Sequence, residues 1–201
     1  MPPDSSQNIG FYGGSFDPIH NGHLELAKEL LEKAHLDCIL FSPANQAPLR
    51  DRPYGASPED RFTMVSAAVA DTPGLEATDL EIQAGGTNFT LDTLRTLKSN
   101  MPNAIFSVII GADQLEKLPR WQRIEELSKE TEFLVLARPG HKLSPPPELT
   151  DLRMRSFDTR EFERLTDFYD CLKPDQAEKV VSRWRRDPDF LHAVNRMEAA
   201  S

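Results

Sequence analysis

The chain has little cysteine and no long apolar run. Cys38 and Cys171 are the only cysteines among 201 residues, too few for a disulfide framework and without the spacing of a zinc site. No stretch approaches the roughly 18 consecutive apolar residues that span a membrane. Residues 1–7 are polar and contain two prolines instead of the apolar core of a signal peptide. We therefore expect a reduced, cytoplasmic protein without a membrane partner.

The chain also lacks an excess of positive charge. It carries 23 basic and 32 acidic residues, which gives a formal net charge of −9. Because surfaces that bind nucleic acid backbones are basic, we expect no nucleic acid partner. A small nucleotide would still bind if its cleft were locally positive. The hydrophobic content of 39% is typical of a globular protein, and we predict one domain over residues 8–201 after a flexible tail at residues 1–7.

Strand-like and helix-like segments alternate along the chain. Apolar runs predict strands over residues 8–12, 38–41, 75–82, 105–110 and 133–137. Helical spacing predicts helices over residues 22–34, 58–68, 90–99 and 121–129. Residues 44–57 contain two prolines and little periodicity, so we predict a long loop there. The alternation predicts an α/β fold, a Rossmann-like doubly wound parallel sheet with helices on both faces.

The most informative segment, residues 13–23, follows the first predicted strand and reads GGSFDPIHNGH. Glycines at a strand end let the backbone approach a phosphate closely, and the N-terminus of a helix adds a positive dipole end. His20 and His23 lie three residues apart at the start of the predicted helix, where both imidazoles can donate to phosphate oxygens. The segment therefore predicts a site that holds a nucleotide phosphate.

This segment resembles the signature of the H-x-G-H nucleotidyltransferases, and within them it is most similar to nicotinate-nucleotide adenylyltransferases. Four further segments carry the resemblance, in the family's order: SPEDRFTM at 57–64, TNFTLDTL at 87–94, IIGADQL at 109–115 and ARPG at 137–140. The third of these four is followed by Trp121, as in the family. The resemblance implies a Rossmann-like enzyme that transfers an AMP unit from ATP to nicotinate mononucleotide in NAD biosynthesis. The products would be nicotinate adenine dinucleotide and pyrophosphate.

The resemblance also implies roles for particular residues. The two histidines would be catalytic, and the expected ATP-binding residues are Gly13, Gly14, Ser15, His20, His23, Gly111 and Asp113. The expected mononucleotide-binding residues are Thr90, Trp121, Arg50 and Arg138. A Mg²⁺ ion is expected with ATP, because it offsets the phosphate charge and needs few protein ligands, so no protein metal site is predicted. A homo-oligomer is left open.

Several of these residues have a second interpretation. Asp113 would bind a ribose or cap the next helix, and Trp121 would stack on the pyridine ring or belong to the core. Arg50 would meet a phosphate or remain solvated. Arg138 would bind nucleotide or pair with a carboxylate. Asp17 would contact a histidine or order the glycine turn.

One family segment is missing. Members carry a late I-S-S-T-x-I-R segment whose hydroxyls and arginine contact the ATP phosphates, whereas the nearest stretch here, residues 157–164, reads FDTREFER. In the simplest register Asp158 and Glu163 replace a serine and the arginine, and carboxylates repel a triphosphate. Two alternatives stay open: a nucleotidyltransferase of the same fold with another acceptor, such as nicotinamide mononucleotide or phosphopantetheine, or a non-catalytic nucleotide-binding homologue.

Overall fold

A computed structural model describes residues 6–50, 53–137 and 141–157 of the chain. The strands are β1 (Asn8–Gly14), β2 (Cys38–Pro43), β3 (Leu75–Ala77), β4 (Ile105–Gly111), β5 (Glu132–Leu136) and β6 (Met154–Phe157). The helices are α1 (Asn21–Ala34), α2 (Pro58–Val69), α3 (Leu80–Ala84), α4 (Thr90–Asn100), α5 (Ala112–Leu115) and α6 (Ile124–Glu130), with a 3₁₀ turn at Leu118–Arg120. Within these ranges, every helix is too short or too polar to cross a membrane.

The six strands form one parallel sheet in the order β3-β2-β1-β4-β5-β6. The chain first moves outward from β1 to β3, and β4 then returns to the opposite side of β1. In such sheets, ligands bind outside the carboxyl ends of the strands at the point where the order reverses. Here those ends are Gly14 of β1 and Gly111 of β4. The predicted Rossmann-like fold is confirmed.

Both faces of the sheet are buried. On β4, Val108 packs into one core cluster and Ile109 into the other, because neighbouring side chains of a strand point to opposite faces. The same alternation on β1 separates Phe11 from Tyr12. Leu30 of α1 belongs to the second cluster and Leu94 of α4 to the first, so helices cover both faces. Packing on both faces therefore holds the strands, and with them their carboxyl ends, in place.

The predicted strand over residues 75–82 is wrong in its second half. The strand ends at Ala77, and α3 begins at Leu80. The Thr78 hydroxyl accepts a hydrogen bond from the Leu80 N–H at 3.3 Å, and the Asp79 carbonyl accepts one from the Gln83 N–H at 2.8 Å. The Thr78 side chain thus satisfies one N–H group of the helix start, directly after the end of β3, which among the described strands pairs only with β2.

Two other boundaries also differ from the prediction. The helix predicted from Trp121 begins only at Ile124, because Arg123 has a left-handed backbone with φ of 57° and cannot continue a helix. β6 was not predicted, since its four residues contain only two apolar side chains. It pairs with β5 at the sheet edge. Residues 158–201 lie outside the described part, so the domain over residues 8–201 stays a prediction.

Candidate active site

A cavity of about 650 Å³ opens at the carboxyl ends of β1 and β4, where the strand order reverses. Its size lies within the usual range for sites that bind small ligands. The cavity brings together most of the predicted site residues, which are Gly13, Gly14, Ser15, His23, Arg50, Thr90, Gly111, Asp113 and Trp121. His20 lies beside it, in contact with the ring of His23. Arg138 lies outside the described residues, and so do residues 158–164 of the late segment.

The glycine turn presents backbone to this cavity. A Cβ at Gly13 would lie 2.9 Å from the Phe11 ring, and a Cβ at Gly14 would lie 3.1 Å from the Phe16 ring. A side chain at Gly13 would force the Phe11 ring to move, and one at Gly14 would fit only if the Phe16 ring gave way slightly. Phe16 is itself buried and has a positive φ of 42°, which turns the chain away from β1 toward α1. At Gly13 and Gly14 the turn therefore lines the cavity with backbone alone.

The two histidines form one unit at the start of α1. His20 is the residue that caps the helix, and its backbone N–H donates to Nδ1 of His23 at 3.3 Å. Because Nδ1 accepts, the neutral His23 ring carries its proton on Nε2, where it can donate to a ligand. The two imidazole centroids are 3.8 Å apart, and the edge of the His23 ring packs against Phe16. A Cβ at Gly22 would lie 3.0 Å from the His20 ring, so this glycine leaves room for the pair.

Asp17 connects the histidine turn to the loop after β2. Its carboxylate accepts hydrogen bonds from the Arg50 guanidinium at 2.6 Å and from the backbone N–H groups of Gly55 and Ala56 at 2.9 and 3.1 Å. The Asp17 side chain is 7% exposed and that of Arg50 is 16% exposed, so this ion pair is shielded from water. Asp17 therefore fixes the loop against the turn, and Arg50 lines the cavity while paired rather than solvated.

Arg61 of α2 lies beneath the same turn and is completely buried. Its guanidinium donates to the carbonyl oxygens of Ser15 at 2.7 Å, Ala44 at 2.6 Å and Asn45 at 3.2 Å. Burial lowers the pKa of Arg61 from its ordinary value. The Tyr54 ring lies between two guanidinium groups, with Arg61 at 4.2 Å and Arg50 at 4.1 Å from its centroid. Arg61 thus joins the ends of β1 and β2 at the edge that faces the ligand.

The start of the loop is also joined to the turn between α3 and α4. The Asn45 N–H donates to Oδ1 of Asn88 at 3.0 Å, and the Asn45 side-chain amide donates to the Gly86 carbonyl at 2.8 Å. Gln46 and Thr87 form a parallel bridge. The cavity therefore has a continuous rim from the loop to the beginning of α4.

Two predicted ligands lie on the β4 side. Asp113 is the second residue of α5, whose N-cap position is taken by Gly111, so Asp113 is not the cap of this helix. Its Oδ2 accepts a hydrogen bond from the side chain of Gln114 at 2.8 Å. Trp121 is half-buried: it packs against the core below and also lines the cavity. The position of Trp121 leaves its ring within reach of a ligand.

At the α4 side the cavity contains a buried carboxyl group. Glu81 of α3 is 6% exposed and accepts a hydrogen bond from the Thr93 hydroxyl at 2.9 Å. Burial raises the pKa of Glu81 to about 7, against the opposing effect of the Thr93 hydrogen bond. Thr90, a predicted mononucleotide ligand, is the first residue of α4 and precedes Thr93 by one turn. We call Gly13, Gly14, His20 and His23 the histidine end, and Glu81, Asn88 and Thr90 the α4 end.

The charges around the cavity suit an anionic ligand. Arg50, Lys117 and Arg120 line it together with Asp113 and Glu81. The chain as a whole carries a net charge of −9, so the cavity is less negative than the protein around it. This local balance is what a nucleotide-binding acidic protein requires.

Sequence and structure comparisons agree with this geometry. The family model for cytidylyltransferase-like proteins matches residues 11–185. A probable nicotinate-nucleotide adenylyltransferase of Opitutus terrae is 41% identical over 75% of this chain and 77% of its own length. The nicotinate-nucleotide adenylyltransferase of Bacillus subtilis is 34% identical over 87% of this chain and 95% of its own length. The chain belongs to the nicotinate-nucleotide adenylyltransferases of the cytidylyltransferase-like family. It is accordingly an enzyme of the nucleotidyltransferase class.

The fold is shared with a solved adenylyltransferase as well. Nicotinic acid mononucleotide adenylyltransferase of Plasmodium falciparum, determined in complex with NaAD, superposes with a TM-score of 0.65 at 23% identity. The superposition covers 77% of this chain and 76% of that one. At this level of identity the likeness supports the Rossmann-like fold.

Two residues of the site, Arg61 and Glu81, are not predicted by the sequence. Arg61 has a detectable signal, because it lies on the apolar stripe of α2 together with Met64 and Val65, where a charge must find buried acceptors. Glu81 has none, because its segment resembled the continuation of strand β3.

Proposed function

We propose that this chain transfers an adenylyl group from ATP to nicotinate mononucleotide and releases nicotinate adenine dinucleotide and pyrophosphate, as a step of NAD biosynthesis. The proposal depends chiefly on one observation. A single cavity runs along the ligand edge of the sheet and is lined by both the histidine end and the α4 end. It therefore offers one space in which two nucleotides can lie with their phosphates facing each other.

The reaction needs no protein nucleophile. A phosphate oxygen of the mononucleotide attacks the α-phosphorus of ATP and forms the new P–O–P bond. The bond to the β-phosphate breaks, and pyrophosphate leaves with the electron pair. Catalysis then consists of aligning the two phosphates and stabilising the negative charge that grows on the α-phosphoryl and departing oxygens.

The residues of the histidine end match these two tasks. His23 Nε2–H is a donor for the phosphate oxygens, and His20 holds the other ring nitrogen of His23. Gly13, Gly14 and Ser15 let the triphosphate lie directly against the backbone. Asp113 beside Gly111 would accept hydrogen bonds from the adenosine ribose. Thr90, Trp121, Arg50 and Arg138 would hold the mononucleotide, with Trp121 stacked on its pyridine ring.

We also propose that Mg²⁺ accompanies ATP. The described residues contain no group of three or more His, Cys, Asp or Glu side chains that could hold a metal ion. In nucleotide sites Mg²⁺ is usually held mainly by phosphate oxygens and water. When bound, the ion offsets the charge of the phosphates.

The full-length chain, incubated with ATP, Mg²⁺ and nicotinate mononucleotide, tests the proposal. We expect pyrophosphate and the dinucleotide to appear in equal amounts, as measured by a coupled pyrophosphate assay and by chromatography. Parallel reactions contain nicotinamide mononucleotide or phosphopantetheine as the acceptor. Turnover of one of these without turnover of nicotinate mononucleotide would assign a different acceptor, and absence of product with all three would refute adenylyl transfer.

A further inference from the structure

The carboxyl group of Glu81 is buried in the wall of the cavity, without a cationic partner among the described residues. It is 6% exposed, lines the cavity, and bonds through Oε1 to the Thr93 hydroxyl at 2.9 Å. Glu81 takes part in none of the ion pairs formed among residues 6–50, 53–137 and 141–157. Buried carboxylates are normally paired with a cation or several N–H donors, and a single hydroxyl is a weak substitute.

This carboxyl group lies near the predicted mononucleotide ligand. Thr93 follows Thr90 by three residues on α4, so the two threonines share one face of the helix. The Asn88 side-chain amide holds the backbone of Glu81 in place, because it donates hydrogen bonds to the carbonyl oxygens of Glu81 at 3.1 Å and Gly85 at 3.2 Å. Glu81 is therefore held in place at the end of the cavity where α4 begins.

The charged groups near Glu81 are paired with residues other than Glu81. On α4, Asp92 pairs with Arg123, and Arg95 pairs with glutamates of α6. On α3 itself, Asp79 accepts a hydrogen bond from Gln83. β2, which packs against α3, has Cys38 as its one titratable side chain, at the amino end of the strand. The titratable groups that line the cavity from other elements are Tyr12, His23, Arg50, Asp113, Lys117 and Arg120.

The protonation state of Glu81 is consequently set by burial. Burial raises the pKa of Glu81 to about 7, and the Thr93 hydroxyl, which bonds the ionised form, opposes this rise. Near neutral pH the empty cavity therefore contains both the ionised and the neutral carboxyl group. A mononucleotide brings a phosphate that carries a charge of about −1.5 to −2. A second negative charge in the same low-dielectric cavity raises the energy of the ionised carboxylate further.

We propose that Glu81 is protonated in the complex with the mononucleotide, so that binding of this anionic substrate takes up one proton from solution. The inference rests on the proposed function, because it requires a mononucleotide beside α4. Glu81 is then a specificity-determining residue. Its neutral carboxyl group permits binding of the anionic substrate, and its ionised carboxylate weakens that binding by charge repulsion. The affinity for the mononucleotide should accordingly fall as the pH rises through neutrality.

The first test measures the KM for nicotinate mononucleotide from pH 6 to pH 8 at saturating ATP. If only the neutral carboxyl form binds, the KM of the unaltered enzyme rises about tenfold over this range. Glu81→Gln keeps an acceptor for the Thr93 hydroxyl but cannot ionise, so its KM should change less than threefold. Glu125→Gln removes one charge from an exposed position on α6 and should reproduce the unaltered profile.

The second test changes the proton affinity of Glu81 without touching the residue itself. Thr93→Val removes the hydroxyl that stabilises the ionised form, so the rise in KM should move to higher pH. A merely structural role of the Glu81–Thr93 contact would change the KM equally at every pH and leave the profile unshifted. This variant also keeps the inference testable if Glu81→Gln fails to fold.

The third test counts protons by calorimetry at pH 7.5, with nicotinate mononucleotide titrated into the enzyme in buffers of different ionisation enthalpy. Proton uptake by the unaltered enzyme that exceeds the uptake by Glu81→Gln supports the inference. Equal proton uptake, or parallel KM profiles for the two proteins, overturns it. Failure of the proposed function gives a different result, since the unaltered enzyme would then produce no dinucleotide at any pH.

Discussion

The two ends of the cavity are stabilised by different forces. At the histidine end, the charged side chains Asp17, Arg50 and Arg61 are buried and bonded to one another or to backbone carbonyls. At the α4 end, hydrogen bonds connect neutral groups to backbone, and the one carboxyl group, Glu81, has a hydroxyl partner. The histidine end is thus held by fixed charges, whereas the charge state of the α4 end depends on pH.

This difference matches the ligands that we propose for the two ends. The glycines and the His23 Nε2–H would face the triphosphate, and the bonds of Asp17 and Arg61 hold the turn that carries them. The mononucleotide would lie beside Glu81, a buried carboxyl group whose charge changes near neutral pH. Substitutions should therefore affect the two ends in different measurements.

The largest effect is expected at the histidine end, on turnover. His23→Ala removes the Nε2–H donor and the acceptor of the His20 N–H, so kcat should fall about 10³-fold, or ~4 kcal/mol in activation free energy. The measurement is steady-state kcat at saturating concentrations of both substrates. His141→Ala is the control, because His141 is exposed and contacts only Glu116 at 3.4 Å among the described residues. A kcat within threefold of the unaltered value for His23→Ala would contradict this assignment.

The second effect concerns stability. Arg61→Met leaves three carbonyl acceptors at the histidine end without their donor, so the free energy of unfolding should fall by about 3 kcal/mol. Urea denaturation measures this change. Arg95→Met removes an arginine that is 44% exposed and paired with Glu126 and Glu130, and should leave the free energy of unfolding almost unchanged. Equal losses in the two variants would mean that burial of Arg61 contributes nothing.

The third effect is a pH dependence of the free energy of unfolding that arises from Glu81 at the α4 end. Because the folded pKa of Glu81 is about 7, above its ordinary value, folding favours the protonated form, and the protein loses stability as the pH rises between these two values. Glu81→Gln lacks this loss. From pH 5 to pH 8, the free energy of unfolding of the variant should therefore rise by about 2 kcal/mol relative to that of the unaltered protein. The pKa shift of Glu81 sets an upper limit of ~3 kcal/mol for this difference. Unfolding in urea at both pH values measures it, and an unchanged difference would argue against a buried titrating carboxyl.

The smallest effect is expected at the cavity wall. Trp121→Leu keeps apolar contact with the core but removes the aromatic face, so the KM for the mononucleotide should rise about tenfold. The KM for ATP should change less than threefold. Initial rates with each substrate varied separately distinguish the two constants. A larger rise in the KM for ATP would place the Trp121 ring beside the adenine instead.

The histidine end was largely predictable from sequence, because its contacts are local. His20 and His23 are three residues apart on one helix start, and Gly13 and Gly14 directly precede the turn, so spacing alone brings them together. The alternation of strands and helices predicts the parallel sheet, whereas the position of β4 beside β1 is known from the structure. The eleven-residue motif at positions 13–23 therefore contains all four residues that form the histidine end.

The α4 end was not predictable in the same way, since its contacts join distant segments. The role of Glu81 depends on Thr93, twelve residues later, and on a short helix that begins where the sequence predicted a strand. Arg61 reaches Ser15 across 46 positions. The left-handed Arg123 keeps Trp121 out of α6, and left-handed non-glycine residues carry no dependable sequence signal.

The loop after β2, residues 44–57, is hydrogen-bonded to its surroundings both near its start and near its end. Asn45 and Gln46 are joined to the turn before α4, while Arg50, Gly55 and Ala56 are bonded to Asp17. The loop thereby links the two ends of the cavity, since its start is bonded to the turn before α4 and its later residues are bonded to the turn that carries the histidines. A substitution that breaks either set of bonds should therefore be felt at the opposite end of the cavity.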